Sequence, residues 1–547
     1  MIEITAVPPL SDVEDDGPVR VDSEALVQSR FASYLTDESG LGPGRAQTIF
    51  FPTFEKQVAD FLREMNQNKM AVTLSGGRTG IVGGAVPQGG ALLSLDRMTR
   101  IVGIRWDERS NEWHVTVQPG IRLKDFQDRI SKKDLVSGDV SSDPGWKDLP
   151  RFLTDPHRYF YPPDPTEDSA SLGGTVATDA SGARTYLFGR TRNHVRAVRV
   201  VLATGDVLEI RRGENSLDSN RTVRIKSLDD SVRTIPIPSY ESPHAKSTAG
   251  YLSMEKMDLI DLFIGSEGTL GVITLIEVAL TVAPAHIAMF LAFFSSEDDA
   301  VGFVLRIRSL KEPNAPLRVH SLEYLDPNSL DLLRKMKQDG GLGAGIRLPD
   351  EQTVAAILCE FSYQDLTEAV GFLQKPLEEF GSSLESAVTG MDERTMELLK
   401  QLRHAIPESV NKIVAQRKKQ VQGMHKIGTD TSVPDEKLEP MIESYSHILK
   451  ASNLEHYVFG HIAENHLHVN ILPRNQEELT QAERLAEKLA REAVAFGGTV
   501  SAEHGIGKMK KHLLRLMFSE SAINEMIATK RALDPNMILS PGNVFEN

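Results

Sequence analysis

The sequence predicts an α+β protein of several domains, and three observations carry that prediction. At 547 residues the chain is longer than one hydrophobic core ordinarily organises, and it fits two or three domains. Between residues 48 and 280 short apolar runs alternate with glycine-bearing turns, and the first run leads into an amphipathic helix. Beyond residue 285, strand-like runs at 355–361 and 458–472 alternate with longer helical patterns. That pattern suits an antiparallel sheet with helices laid over one face.

In chain order, residues 1–45 are polar, rich in Asp, Pro and Gly, and read as an N-terminal extension packed on the surface of the first domain. From Thr48 the segment continuing IFFPTFEKQVADFLREMNQ gives a short strand, then Thr53 as an N-cap, then a helix with Val58, Phe61, Leu62 and Met65 on one face. Strand-like runs come next at 71–74, 91–95, 113–117, 195–202, 207–210 and 263–280. Residues 211–251 lack any sustained period and read as an excursion within this first domain. Val282, Ala283, Pro284 and Ala285 mark its end, and an apolar strand at 287–294 opens the second. Helical patterns there occupy 298–311, 364–380, 391–405, 435–451 and 477–496. No repeat of 20 to 50 residues and no low-complexity tract is present.

Sixty-one Lys plus Arg stand against 76 Asp plus Glu, for a net charge of −15. That balance disfavours a broad electrostatic grip on nucleic acid or anionic lipid. The single cysteine, Cys359, excludes an intrachain disulfide, a cysteine-ligated iron–sulfur cluster and a multi-cysteine zinc site, and it suits a reducing compartment. The N-terminus has acidic residues and prolines where an export signal would have a basic start and an apolar run, so a cytoplasmic location is expected. No apolar stretch approaches the ~20 residues that span a bilayer. The basic run at 508–515 reads as a solvated helix face, with peripheral contact to the inner membrane as the alternative.

Four glycine-bearing segments stand out. The first, SGGRTGIVGGAVP, comes directly after a strand and contains Gly76, Gly77, Arg78, Thr79 and Gly80. Its glycines let backbone N–H groups turn inward as an anion-binding nest, yet it has neither the Rossmann G-x-G-x-x-G nor a P-loop ending. The second runs from Pro162 through Pro163 and Asp164 to a stretch of small residues, Ser171, Gly173, Gly174, Ala180, Ser181 and Gly182, that lets backbone approach a flat ring closely. Gly250 with Tyr251, and a segment containing Gly265, Glu267, Gly268 and Ile273, repeat the theme. Each alone suits a plain turn; four in one domain exceed what turns require.

A histidine and glutamate constellation lies further on. In GHIAENHLHVN the strand-like end projects His466, His468 and Asn470 to one face, with His461 across a turn. A carboxylate, Glu503, appears in GGTVSAEHGIGK, with His504 next to it. Two imidazoles and a carboxylate can hold a divalent metal with positions left open, and they can equally be satisfied buried groups. From the residues alone both readings stand.

Six motifs in order, SGGRTGIVGGAVP, PPDPTEDSASLGGTVATDASGARTYLFGRTR, FIGSEGTLGVIT, GHIAENHLHVN, GGTVSAEHGIGK and ALDPNMILSPGNVF, resemble the FAD-linked oxidase family with a para-cresol methylhydroxylase-type FAD domain. Within it they are most similar to the D-lactate, glycolate and D-2-hydroxyglutarate dehydrogenase branch. The resemblance runs from about residue 45 to the C-terminus. It implies an FAD domain of two α+β subdomains over 46–284, an antiparallel-sheet cap domain covered by helices over 285–510, and a segment 511–547 returning to the FAD domain. Gly76 to Gly80 would cradle the FAD pyrophosphate, and Arg78, which departs from the family's glycine-rich pattern, would pair with phosphate or point outward. Pro163, Asp164, Ser171, Gly173, Gly174, Ala180, Ser181 and Gly182 would surround flavin and ribityl; Gly265, Glu267, Gly268 and Ile273 would support the adenosine half. No His or Cys stands where relatives carry a covalent flavin link, so FAD is expected to be non-covalent.

The resemblance also favours His461, His468 and Glu503 as metal ligands (Zn, Mn or Fe) and His504 as base. Here the family's G-D-G-N-L-H is Ala463-Glu464-Asn465-His466-Leu467-His468, which makes His466 an alternative ligand or a substrate contact. Arg403 and Lys426 match the family's carboxylate anchors, with surface positions as the alternative, and Asn470 is a further substrate contact. The implied activity is oxidation of a D-2-hydroxy acid to the 2-oxo acid: the metal polarises the hydroxyl, His504 takes its proton, and hydride passes from C2 to flavin N5. An external acceptor, such as electron-transfer flavoprotein, quinone or cytochrome, would reoxidise the flavin. The oligomeric state stays open, a homodimer included. The rivals are a non-redox transferase resembling alkyldihydroxyacetonephosphate synthase and a silent flavin-holding subunit.

Overall fold

The computed structural model describes residues 17–546 except 137–139, 141–142, 313, 342–346, 350 and 422. The reading of residues 1–16 as part of a surface extension lies outside the described residues. The rest of that extension does more than pack on a surface. Val19–Val21 pairs antiparallel with Phe51 to Ile49 on the open edge of the first sheet, and Val27, Phe31 and Leu35 bury themselves against Ile49 and Phe51.

That first sheet has four strands in the order Val19–Val21, Thr48–Phe51, Ala91–Ser94 and Val72–Ser75, the last two pairings being parallel. Helix Glu55–Gln67 lays Val58, Phe61, Leu62 and Met65 on it, against Phe50, Val72 and Leu93. Its N-cap is Phe54 and not Thr53: Phe54 is the last extended residue, and Gln57, three positions on, turns its Oε1 back to accept the N–H of Phe54 at 3.4 Å and of Thr53 at 2.7 Å. The chain's end closes on the same sheet: Val72 N–H donates to Ile538 O and Ser540 N–H to Val72 O, each at 2.7 Å.

A second sheet of five antiparallel strands runs Ile101–Asp107, Glu112–Val117, Val272–Ala279, Val195–Val201 and Val207–Arg211. The apolar run at 263–280 is not one strand. It splits into a one-turn helix, Ile260–Phe263, a turn and the strand Val272–Ala279, because Gly265, Glu267 and Gly268 sit at φ of +86°, +53° and +71°, outside extended backbone. The excursion at 211–251 contains a hairpin of Thr222–Lys226 and Val232–Pro236, and helix Glu520–Leu533 packs on it through Thr529 Oγ1, which donates to Pro236 O at 2.8 Å.

The third large sheet has eight antiparallel strands in the order Val388–Gly390, His286–Phe294, Ala355–Tyr363, Leu317–Leu325, His456–His461, His466–Ile471 and Ile427–Gly428, with Thr431–Ser432 also on His466–Ile471. The run at 458–472 is thus two strands of a hairpin. Helices Glu297–Ser309, Leu366–Glu379, Leu438–Ser452 and Gln476–Ala495 cover the face carrying Phe290, Phe294, Tyr324 and Val469. The expectation of helices on one face is corrected here. Met289, Leu291, Ala356 and Leu358 point the other way and are covered by helices Pro327–Gln338 and Glu393–Lys418. His286–Phe294 is apolar at nearly every position rather than at alternate ones, the pattern of a strand buried on both sides.

Candidate active site

The hairpin His456–His461 and His466–Ile471 places the histidines. Its turn ends in Asn465 at φ +54°, a left-handed position that asparagine tolerates, and its register sets His461 opposite His466 and Phe459 opposite His468. Gly460 sits at φ +136°, and a Cβ there would lie 3.0 Å from the His468 ring, so the site requires a glycine. Thr499 adds a rung beyond Thr431–Ser432, its N–H donating to Ser432 O at 2.8 Å, and the loop after it carries Glu503 and His504 into the same space.

Ligand atoms of His461, His466, His468 and Glu503 lie within 4.8 Å of one another. The reference point is Glu503 Oε1, with His461 Nε2 at 3.5 Å and His466 Nδ1 at 3.9 Å. Ser181 Oγ donates to the same oxygen at 3.0 Å, and Lys246 Nζ reaches it at 2.5 Å while also holding Glu464 at 2.8 Å. His504 stacks on His468 with ring centroids 5.6 Å apart, and its Nδ1 faces Asp430 Oδ2 at 3.3 Å.

Two buried carboxylates frame the cluster. Glu323 Oε1 lies 2.6 Å from His461 Nδ1, and its other oxygen accepts from Arg403 Nε at 3.0 Å. Burial opposes its charge, but Arg403 and His461 prevail and hold Glu323 at about 2. Burial likewise pulls His461 down; Glu323 and Glu503 outweigh it and raise the imidazole to about 9. Asp430 accepts the Glu503 and His504 N–H groups at 3.1 and 3.0 Å, together with Lys510 Nζ at 2.7 Å and Ser501 Oγ at 2.8 Å. Despite burial, His504 and Lys510 keep it well below the usual carboxylate range. For His466, fully buried, burial lowers the pKa to about 4.

The glycine segments converge as well. Ser171 Oγ accepts from Gly77 N at 3.0 Å and Gly174 N at 3.3 Å, joining the first segment to the second. Cβ atoms on Gly76, Gly173 and Gly182 would collide with Ser171, Pro119 and Asp164 O, so these glycines serve close backbone packing. Gly265 N donates to Val176 O at 3.0 Å and Glu267 N to Ala177 O at 2.8 Å, which brings the fourth segment beside the second; Ile273 lies in the adjoining strand against Val200. Glu267 turns its carboxylate to Ile506 N and Gly507 N at 2.7 and 2.6 Å, gripping the loop of Glu503 rather than facing outward. Arg78 takes a third course: its guanidinium is bound to Asp96 at 2.9 Å and Gly76 O at 3.2 Å and lies 4.1 Å over the Tyr34 ring. Thr79 and Gly80 end this loop, and nothing stands within 4 Å of where a Gly80 Cβ would be. Pro163 is buried beside Asp164, whose carboxyl burial raises to about 6 against the pull of Arg184 and Arg403. Ala180 O accepts from Thr191 Oγ1 at 2.7 Å, which fixes the turn before Ser181.

Not every candidate meets the cluster. Lys426 Nζ donates to Asn411 Oδ1 at 3.0 Å, eight residues beyond Arg403 on helix Glu393–Lys418 and so about 12 Å along its axis. Asn470 is buried on the face of His466 and His468, its amide donating to His468 O at 3.4 Å. Sequence reasoning missed Glu323, Lys246 and Asp430. A lone acid inside an apolar strand, as in LRVHSLEYL, signals a buried charge that needs a partner and would have pointed to Glu323; Lys246 lies in the irregular excursion and leaves no such signal.

The donor chemistry fits both groups that the motifs imply. The His466 ring is wholly buried, and its Nδ1 faces the cluster with no hydrogen-bond partner, which leaves that nitrogen open to a cation. Near the glycine loops, Ser75 Oγ and Ser540 Oγ are buried without partners, the second beside Gly268, and they suit a polar ligand such as FAD.

Residues 46–146 and 145–211 match the family model "FAD binding domain", and residues 283–544 match "FAD linked oxidases, C-terminal domain". The chain belongs to the FAD-linked oxidases. Among curated relatives of this FAD-linked oxidase are D-lactate dehydrogenase of Anaerostipes hadrus, 28% identical with 93% of this chain and 92% of the relative covered, and glycolate oxidase subunit GlcD of Bacillus subtilis, 26% identical with 91% and 88% covered. Solved structures of alkyldihydroxyacetonephosphate synthase (TM-score 0.60, 16% identity, 93% and 80% covered) and 4-ethylphenol oxidase from Gulosibacter chungangensis (0.61, 18%, 96% and 94%) share the fold of this FAD-linked oxidase. Among its described residues no helix is long and apolar enough to cross a membrane.

Proposed function

We propose that this FAD-linked oxidase oxidises a D-2-hydroxy acid of the D-lactate, glycolate or D-2-hydroxyglutarate type to its 2-oxo acid. The observation that carries the reading is the 3.0 Å contact of Ser181 Oγ with Glu503 Oε1, because it joins a glycine segment of the FAD half to the histidine cluster. FAD would be held without a covalent link by the segments 76–80, 163–182 and 265–273 and would supply the acceptor for the C2 hydride. A divalent metal would be held by His461, His468 and Glu503 and would supply a Lewis acid for the substrate hydroxyl.

The chain's own residues do the remaining work. Arg403 presents its guanidinium to the substrate carboxylate, fixed through Nε on Glu323 at 3.0 Å. Asp430 holds His504 by Nδ1 at 3.3 Å, which leaves Nε2 to accept the hydroxyl proton. Lys246 and Ser181 fix the orientation of Glu503. Two electrons leave for an external acceptor such as electron-transfer flavoprotein, a quinone or a cytochrome, since one cysteine cannot build an iron–sulfur relay.

Anaerobic photometry with a panel of D-2-hydroxy acids tests this reading. Bleaching of the flavin by at least one acid is expected; a flavin that no acid bleaches sinks it and leaves the transferase-like or silent alternatives. Acid or heat denaturation should release FAD into the supernatant, and flavin retained on the precipitate would refute the non-covalent part.

A further inference from the structure

We propose that His466 is a fourth protein ligand of the metal site, with Asp430 as its orienting carboxylate, so that the centre is a three-histidine, one-glutamate set. The inference rests on the metal reading above and extends it.

Two histidines of the hairpin are built alike. His461 turns Nδ1 outward to a buried carboxylate, Glu323, at 2.6 Å and Nε2 inward to Glu503 Oε1 at 3.5 Å. His466 turns Nε2 outward to a buried carboxylate, Asp430, at 3.2 Å and Nδ1 inward to the same Glu503 oxygen at 3.9 Å. A carboxylate behind an imidazole, with the other nitrogen aimed at a common point, is the arrangement that fixes tautomer and ring direction in metal-bound histidines. His461 and His466 are directly opposed in register, with ring centroids 5.5 Å apart, and His468 stands 4.3 Å from the His466 ring. Ligand atoms of all three, with Glu503, fall within 4.8 Å of one another.

The orphaned inward nitrogen is the second, independent sign. His466 has no exposed surface, and its inward Nδ1 makes no hydrogen bond, while its Nε2 stands 3.2 Å from the Asp430 carboxylate. An unpartnered buried Nδ1 is destabilising, and a bound cation satisfies it. By contrast His504, whose side chain is 30% exposed, has its backbone and its Nδ1 both facing Asp430, which suits a proton acceptor beside the centre better than a ligand within it.

Three imidazoles and one carboxylate form a nitrogen-rich set. It favours borderline divalent ions such as Zn²⁺, Fe²⁺ or Co²⁺ over the oxygen-preferring Mg²⁺ and Mn²⁺, and it leaves fewer positions for substrate than a two-histidine, one-carboxylate set would.

The test uses the FAD-loaded full chain, stripped of metal by a chelator and titrated with Co²⁺, for the unmutated protein and for His466→Asn, His468→Asn and Glu503→Gln. Flavin content and melting temperature control for folding. The expected result is one Co²⁺ per chain, with His466→Asn weakening binding by at least the ~10- to 100-fold seen for loss of an outer-shell partner and changing the d–d absorption bands. Unaltered affinity and bands in His466→Asn, with loss in His468→Asn, would overturn the fourth ligand while the metal reading stands. No loss in any variant would overturn both. Should His466→Asn fail to fold, pulsed EPR of the unmutated protein loaded with Cu²⁺ decides, since it counts bound imidazoles: three support the proposal and two overturn it.

Discussion

Glu323 lies 2.6 Å from His461 Nδ1, and through its second oxygen it also fixes Arg403, so one buried carboxylate ties a metal-ligand candidate to the candidate substrate anchor. Glu323→Gln should therefore impair two measurable properties together, metal affinity by about 10- to 100-fold and KM for the hydroxy acid. Isothermal titration with the metal and steady-state kinetics check this. A change in KM with intact metal binding would separate the two roles.

His504→Ala should leave flavin and metal content unchanged and slow flavin reduction by about 10²- to 10⁴-fold, the usual contribution of a positioned proton acceptor. Stopped-flow reduction at saturating substrate measures it. Loss of metal in this variant would make His504 a ligand instead.

Glu267 accepts two backbone N–H groups of the loop bearing Glu503 and His504. Glu267→Gln presents an amide N–H to one of those donors, and the unpaired group costs about 1–3 kcal/mol. The expected outcome is a lower melting temperature and a reduced kcat with the substrate specificity unaltered, read by thermal scans and kinetics.

Arg403→Ala should raise KM steeply for every hydroxy acid, whereas Lys426→Ala should raise it less, because Lys426 is engaged with Asn411, about 12 Å along the helix from Arg403. Equal effects in the two variants on a small acid such as glycolate would contradict the placement.

His194 is buried, hydrogen-bonded through Nε2 to Phe188 O at 2.8 Å, and burial lowers its pKa to about 4. The unfolded chain, with a histidine near 6.5, binds the proton first as pH falls, so stability is lost between about pH 6.5 and 4 and is full above that window. A gap of that width corresponds to about 3 kcal/mol. His194→Phe, which cannot titrate, should lose its stability deficit relative to the unmutated protein as pH drops from 7 to 4.5, monitored by denaturant melts.

Local pattern made much of the fold legible. Alternating and continuous apolar runs located most strands of the large sheets, and helix Gln476–Ala495 keeps closely to its 3.6-residue period. The one-turn helix Ile260–Phe263 was hidden because four residues are too few to show a helical period, whereas the break after it was signalled by Gly265 and Gly268, which a reading of 263–280 as one strand passed over. At the site, spacing left a metal site and a set of satisfied histidines both open; the family resemblance singled out His461, His468, Glu503 and His504, which the fold brings side by side. Glu323, Lys246 and Asp430 were not legible, since what defines them is a partner far along the chain. Arg78 shows the limit of charge-based reading: its partner is Asp96, and no local rule selects one acid among 76 Asp and Glu residues.

The contacts that assemble the histidine cluster also bear on how the chain reaches its native state. Ser181 meets Glu503 across 322 positions, Lys246 meets it across 257, and Glu323 meets His461 across 138. Contacts of such separation close large loops and come at high entropic cost until the sheets that carry them exist. Glu323 and His461 are register partners in the eight-stranded sheet and meet as that sheet forms, whereas the Ser181 and Lys246 contacts join separate parts of the chain, so recovery of metal binding on refolding is expected to trail the recovery of far-UV circular dichroism.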